Sequence, residues 1–457
     1  MKSLSLISKT FFLIVGLCVY SGLFAQMVEP ESTETEKLDL RTTILEDAVK
    51  RLQKLQVSGY IQAQYQYAET DADNRNFKLA AGRNAYEATE LKDFSRFGIR
   101  RGRIKFTYTE NIVSGVIQID VTEKGISSDR NAVTFKDVYI QVKDPWFGTS
   151  SFKAGLFDRP FGHEIAYSSS SRESPERARM IQALFPDERD LGAMLTLQPA
   201  KTSPMNILKL EAGLFSGNGI KPQFVSHFDF IGRLSVSKPI DNYMVFGVGV
   251  SAYLGGVFQN DKQVYTMKDK QFVLDSDKDD NIGKFAKRQY FGIDAQFSLI
   301  SAAGLTALRG EYIFGEHPGN ASGAYGFNFN ATLPSGPVYM RKISGGYIML
   351  AQDLGTTPLT AVLKYDWYNP NTEVSGNDIA AAGSGTGSGD ICMSNFGLGM
   401  LWRVNAALKL TAYYDFVSNE TTDNLKDVKD ANGKITRYGW EGNRKDNVFT
   451  LRLQYKF

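Results

Sequence analysis

The chain has 457 residues, 52 Lys and Arg against 50 Asp and Glu, a formal net charge of +2, 42% hydrophobic residues and 12% aromatics. Charge this near balance leaves no basic domain of the kind that grips nucleic acid, so no nucleic-acid partner is expected. With 42 glycines against 14 prolines, the composition suits an all-β chain with many glycine-containing turns better than a bundle of apolar helices.

At the N-terminus, Lys2 and Lys9 precede the apolar run FFLIVGLCVYSGLFA. The run is too short to span a bilayer comfortably and closes on small residues, so residues 1–25 read as a secretory signal peptide cleaved near Ala25–Gln26. A lipoprotein reading at Cys18 is weaker, because IVGLC lacks small residues before the cysteine. Loss of Cys18 leaves Cys392 alone and excludes an intramolecular disulfide. Residues 26–56 form a periplasmic segment in which Leu38, Ile44 or Leu45, Val49, Leu52 and Leu55 recur at helical spacing. This short amphipathic helix has two readings: it packs on the rim of its own domain, or it bundles with copies of itself.

From Val57 the period changes to two. In VSGYIQAQYQYA, Val57, Ile61, Ala63, Tyr65 and Tyr67 share one face, and Tyr60, Gln62, Gln64 and Gln66 the other. Similar alternation returns at 97–109, 112–122, 134–143, 150–157, 190–198, 206–215, 227–237, 243–254, 287–300, 304–314, 340–352, 358–368, 394–404, 407–417 and 447–457. That makes about sixteen strands of the length a tilted transmembrane strand needs. Tight turns such as EN (110–111), KPIDN (238–242), SAAG (301–304) and VNAA (404–407) alternate with long polar segments at 69–96, 123–133, 158–189, 216–226, 255–286, 315–339, 369–393 and 418–446. Short turns on one rim and long loops on the other characterise an outer-membrane barrel. The last strand, NVFTLRLQYKF, turns Phe449, Leu451, Leu453, Tyr455 and Phe457 to one side and Arg452 and Lys456 to the other. A sheet in lipid must close and leave no edge, so the apolar face meets lipid and the charged face a wet lumen. The fold class is therefore all-β: a transmembrane antiparallel barrel at 57–457 in the outer membrane of a diderm bacterium. Aromatics near strand ends, among them Tyr108, Trp146, Phe147, Trp367, Tyr368 and Trp402, read as headgroup girdles.

The same parity turns Arg101, Arg103 and Lys105 of the second strand inward as a positive column, with a bulge near Gly102 because Ile99 fits the register poorly. Lys153 and Arg452 also point inward, and inward bases exceed inward acids by roughly fourteen to eight. Such an excess in a narrow tube concentrates anions, unless cross-strand pairs cancel it and leave a near-neutral lumen. The segment DRPFGHEIAYSSSSRESPERARMIQALFPDERD is different in kind. Arg172, Arg177, Arg179 and Arg189 are interspersed with acids, and Met180, Ile181, Leu184 and Phe185 are out of place on a solvated tip. The spacing predicts a loop that folds back against the barrel wall and sets the pore width; the other reading is a solvated external loop. The selectivity set is Arg101, Arg103, Lys105, Lys153, Arg172, Arg177, Arg179, Arg189 and Arg452.

PFGHE (160–164), SPERARM (174–180) and RDLGAML (189–195) resemble motifs of the phosphate-selective porin O and P family in its Bacteroidetes-type form. The resemblance implies a sixteen-stranded trimeric porin with loops folded inward. The lysine- and arginine-rich eyelet of phosphate-specific members has no match, and this loop is mixed in sign.

Weaker motifs carry less. DSDKDDN (275–281) is a poor calcium loop, with Asp280 where Gly is required and no Glu at the twelfth place. His163, Glu164 and serines 168–171 contain the residue types of a hydrolytic triad, without spacing that brings them together. GSGTGSG (383–389) reads as a flexible tip. No catalytic or metal residue and no cofactor is expected. The expected function is passive diffusion of small hydrophilic solutes, with a weak anion preference for which phosphate is one candidate. The expected partners are outer-membrane lipid, small solutes or inorganic anions, and two further copies in a homotrimer. The alternatives are a receptor or adhesin barrel with binding loops, or a barrel hydrolase.

Overall fold

The computed structural model describes residues 42, 49, 53–70, 93–121, 133–221, 223, 225–321 and 336–457. The signal segment, its cleavage point, Cys18 and most of 26–56, including Leu38, Ile44, Leu45 and Leu52, lie outside the described residues. The chain divides into two units, Met1–Leu55 and Gln56–Phe457. In the first, Thr42, Val49, Gln53 and Lys54 are helical.

In chain order the strands are β1 (Leu55–Ala68), β2 (Phe94–Glu110), β3 (Val113–Val121), β4 (Val133–Lys143), β5 (Ser151–Asp158), β6 (Arg189–Leu197), β7 (Leu208–Phe215), β8 (Asp229–Pro239), β9 (Met244–Phe258), β10 (Gln263–Lys268), β11 (Gln271–Asp277), β12 (Phe285–Ser301), β13 (Gly304–Gly319), β14 (Val338–Asp353), β15 (Leu359–Asn369), β16 (Met393–Arg403), β17 (Leu408–Asn419), β18 (Val428–Lys429), β19 (Ile435–Arg437) and β20 (Val448–Lys456). One short helix, α1 (Arg179–Leu184), lies in the third long loop. All but β10, β11, β18 and β19 form a closed antiparallel barrel of 16 strands. β1 meets β20 in continuous register from Tyr60↔Lys456 to Ala68↔Val448. Gly59 and Phe457 then exchange backbone hydrogen bonds of 2.9 and 3.0 Å, which satisfies the chain's last residue.

The closing strand shows why the alternation is so regular. Leu451, Leu453 and Tyr455 are 37–50% exposed on the lipid side, while Thr450, Arg452 and Gln454 are at most 4% exposed inside. On β2, Ile104, Phe106 and Tyr108 face out and Arg101 and Arg103 are buried inside. Just before Gly102, the adjacent Arg100 and Arg101 side chains both reach Glu176. The β2–β3 register itself is continuous from Gly102 to Glu110. A bulge not anticipated on β4 breaks the β3–β4 register between Gln118 and Ile119, so Lys136 and Asp137 are both buried.

Three features differ from expectation. The lumen wall over β13–β17 carries an apolar patch among its polar residues: Ile313, Tyr347, Val362, Leu401 and Tyr413 are buried inside the barrel with α1 and the third loop, beside buried Glu311, Lys364 and Asp366. Where both faces of a strand are covered, both parities turn apolar, as in Tyr347, Ile348 and Met349 of β14, so parity alone misreads the lining. For the same reason Tyr368 is fully buried in this cluster and is no girdle residue. The long segments on one rim are also more ordered than their polarity suggests. β10 and β11 form a hairpin that adds to β14 in parallel through Val264↔Val338 and Tyr265↔Tyr339. Met267, Phe272, Val374, Ile379 and Ile391 make a second apolar core there. Phe272 N–H donates to the Ser384 carbonyl at 2.8 Å, so the glycine-rich 383–389 segment is packed rather than a free tip.

Candidate functional site

The third loop, between β5 and β6, folds into the barrel. Its apolar residues enter first: Phe161, Ile165, Met180, Ile181 and Phe185 are at most 1% exposed, and each buried side chain of this size stabilises the fold by about 1.5–3 kcal/mol. The wall carries notches for them. A Cβ on Gly345 would lie 2.7 Å from the Met180 Cβ, and one on Gly292 would lie 2.9 Å from the Phe161 ring.

Polar groups then fix the loop in register. At its foot, Arg159 donates to Asp190 at 3.2 Å and Asp190 accepts from Ser216 at 2.7 Å. Arg189 pairs with Asp137 (3.0 Å), Asp158 (3.1 Å) and Glu188 (2.9 Å). Arg177 clasps the loop to itself, pairing with Glu188 and donating to the carbonyls of Glu164 (3.0 Å), Ile165 (3.0 Å) and Tyr167 (3.2 Å). At the waist, Glu164 accepts from Ala178 N–H and from Lys364 Nζ, each at 2.8 Å. Glu311 of β13 accepts from the N–H groups of His163 and Glu164 at 3.1 Å, and Asp366 of β15 accepts from Arg179 N–H at 2.8 Å.

Across the lumen, Glu176 receives Arg100 (2.8 Å), Arg101 (2.9 Å) and Arg452 (2.9 Å). Burial opposes its ionisation, but those arginines outweigh burial and hold the carboxyl well below the usual range. Glu173 pairs with Arg309 at 2.9 Å. The tip lies on the barrel's closing seam. Gln62 of β1 donates to the Ser169 carbonyl at 3.2 Å, Gln454 of β20 to Ser170 at 2.9 Å, Lys409 of β17 to Ser170 and Arg172 at 3.2 and 3.1 Å, and Arg452 to Pro175 at 2.7 Å.

The sequence-derived set therefore separates into roles. Arg101, Arg177, Arg189 and Arg452 are spent on loop carboxylates. Arg103 pairs with Asp120 at 3.0 Å and donates to Tyr60 at 2.8 Å. Lys153 sits over the Tyr139 and Phe157 rings at 4.7 and 5.2 Å. Lys105 is half-buried on the inward face of β2. Arg172 and Arg179 are 3% exposed, and among the described residues no partner meets the Nε, Nη1 and Nη2 of Arg172 or the Nε and Nη2 of Arg179. Two of the three bases expected as a positive column on β2 are thus ion-paired, Arg101 by a carboxylate of the distant loop and Arg103 by Asp120 of the next strand. Glu311, Lys364, Asp366 and Lys409 of the inner wall hold the loop as well, a role that strand alternation does not reveal.

His163 stacks on Tyr167 with centroids 5.4 Å apart. Its Nε2 has no partner among the described residues, and Ser168 and Ser170 pair with each other at 3.0 Å. In the DSDKDDN segment, Asp279 pairs with Lys262 at 2.6 Å and Asp275 with Lys268 at 3.6 Å.

No family model and no curated protein matches the sequence. Among solved structures, the chain is similar to Salmonella typhi OmpF in complex with daunomycin, at 12% identity, covering 88% of this chain and 97% of that one, with a TM-score of 0.50. Pseudomonas putida OprB at high pH gives 9% identity, 92% and 96% coverage and a TM-score of 0.48. Vibrio cholerae OmpT in its trimer form gives 10%, 88% and 99%, and 0.47. At such identities the OmpF likeness concerns fold alone. Together with the lipid-facing apolar band and the edgeless closure, it identifies a porin-like barrel of the outer membrane.

Proposed function

We propose that the chain is a diffusion porin, trimeric in the membrane, that passes small hydrophilic solutes with a weak anion preference, and that it is not an enzyme. In this reading residues 1–25 are an export signal and 26–56 a periplasmic segment. The observation that carries it is the third loop bound across the lumen: a fixed inward loop narrows a barrel to a size filter. The loop's acids neutralise most wall arginines, which keeps the anion preference weak. Arg172, Arg179 and Lys409 form no ion pair with a carboxylate among the described residues and tilt the balance toward anions. The residues that resemble the phosphate-selective family serve loop fixation: Phe161, Glu164, Glu176, Arg177, Met180 and Arg189 all bind the loop to itself or to the wall. They account for a shared loop architecture and do not by themselves specify phosphate.

The test is the zero-current potential of the purified protein in a planar bilayer under a KCl gradient. A modest chloride-side potential is expected. A cation-side potential would remove the anion preference and leave a general diffusion porin. A second reading, a plugged receptor, is favoured by the apolar core inside the barrel and the packed extracellular cap. Absence of any conductance would select it.

A further inference from the structure

Within the constriction one group stands apart from the paired network. Arg172 is 3% exposed, and among the described residues none of its guanidinium nitrogens has a hydrogen-bond partner. A desolvated guanidinium with its whole donor fork unmet is strongly disfavoured unless a counter-charge joins it. Nearby bases cannot be neutralised in its place, since they are already engaged. Arg101 holds Glu176 and Gln62, Arg177 holds Glu188, Arg452 holds Glu176 and Gln64, and Lys409 holds two loop carbonyls. One further donor is left over in the same turn. Ser169 is 4% exposed and its Oγ is also unmatched among the described residues. Ser171 and Arg172 N–H both donate to the Ser168 carbonyl at 3.0 Å, which winds this segment into a turn. On such a turn, residues three apart share a face.

We propose that Arg172 and Ser169 form a seat for a carboxylate monoanion, a discrete binding station in the constriction. The proposal rests on the porin reading above and adds an occupant to it. Three features select a carboxylate over a tetrahedral oxyanion. The free donors are one planar fork and one hydroxyl, which match two coplanar oxygens. Only one guanidinium has its donors free at the seat, since the Lys409 ammonium beside it spends its donors on the Ser170 and Arg172 carbonyls, and a single fork suits a single planar anion. Glu164 and Glu176 lie within electrostatic reach of Arg172 and oppose a second one. Burial, with Arg177 and Arg101 alongside, pushes Arg172 down to about 9, and a carboxylate on the fork reverses that push.

The experiment is calorimetric titration of sodium acetate and of inorganic phosphate into the full-length protein in detergent, with barrel integrity checked by heat-modifiable gel migration. Saturable acetate binding is expected, at least tenfold tighter than phosphate. Arg172→Gln is expected to weaken acetate at least tenfold, and Arg172→Lys, which keeps the charge and loses the fork, to fall between. Ser169→Ala, which removes only the unmatched Oγ and leaves the Gln62 bond to the Ser169 carbonyl in place, is expected to weaken it two- to fivefold and serves if the arginine variants fail to fold. Phosphate binding tighter than acetate, acetate binding unchanged in every folded variant, or no saturable binding in the parent protein would overturn the seat. The KCl potential separates the two proposals: an anion-side potential without acetate binding sinks the seat alone, whereas absence of conductance sinks the porin reading.

Discussion

Glu176 takes three arginines from two strands brought to either side of β1 only because the barrel closes, Arg100 and Arg101 on β2 and Arg452 on β20. Removing one partner from a buried ionic cluster costs about 3–5 kcal/mol, because the remaining charges lose their counter-ion. Glu176→Gln is therefore expected to loosen the loop and to move the zero-current potential further to the chloride side, since three arginines are released at once; an unchanged potential would mean they do not face the ion path. The same carboxyl sets an acid limit. Its folded pKa lies below the ordinary value, as does that of Glu188, where burial is outweighed by Arg177 and Arg189. A depressed acid pKa contributes stability that is complete above the unfolded value of about 4.3 and is lost as pH falls through the folded value. The loop is expected to stay fixed from neutrality to about pH 4.5 and to release below it, read as new conductance substates in bilayers held at successively lower pH. In Glu176→Gln the onset is expected to flatten.

The third loop shows what a linear reading reaches. Its inward fold was legible, because Met180, Ile181, Leu184 and Phe185 have no place on a solvated tip, and all four are buried. The strands were legible too, since each must alternate between lipid and interior over a fixed span. What alternation does not encode is partner choice. Glu164 and Lys364, 2.8 Å apart, are separated by 200 positions, and nothing local marks either as the other's counter-ion. Nor does period two reveal that β14 is apolar on both faces, and the β10–β11 hairpin was absorbed into a segment read as polar loop. These packed elements can be tested separately. Ile181→Asp places a charge in the apolar cluster and is expected to expel α1 and raise single-channel conductance, with heat-modifiable migration retained because the barrel's ladder is untouched; unchanged conductance would show that the loop does not limit the pore. Phe272→Ala removes a ring that packs edge-on to Tyr339 at 5.0 Å. With a cost of about 3–5 kcal/mol for a buried phenylalanine, it is expected to open the 259–284 segment to protease while conductance changes little.

Taken as a whole, the barrel and its constriction depend on one seam. Gly59 admits the Phe457 ring, since a Cβ there would stand 2.6 Å from it and 2.3 Å from the Arg103 carbonyl. Directly above, Gln62, Gln454, Arg452 and Lys409 reach from the strands at the seam to the loop tip. The contacts that close the cylinder thus continue into those that place the size filter. This coupling predicts that damage at the seam reaches the pore. Gly59→Val forces Phe457 off its site and strains the β1–β20 ladder at the end where Gly59 and Phe457 pair. It is expected to lower the temperature at which the folded form is lost by several degrees and, in the surviving barrels, to broaden the single-channel conductance distribution. A control away from the closing seam, Leu305→Ala, exposed to lipid at the β13 turn, is expected to leave that distribution narrow. Equal broadening in both variants would mean the filter responds to barrel stability in general, and the seam would then be a closure without a role in permeation.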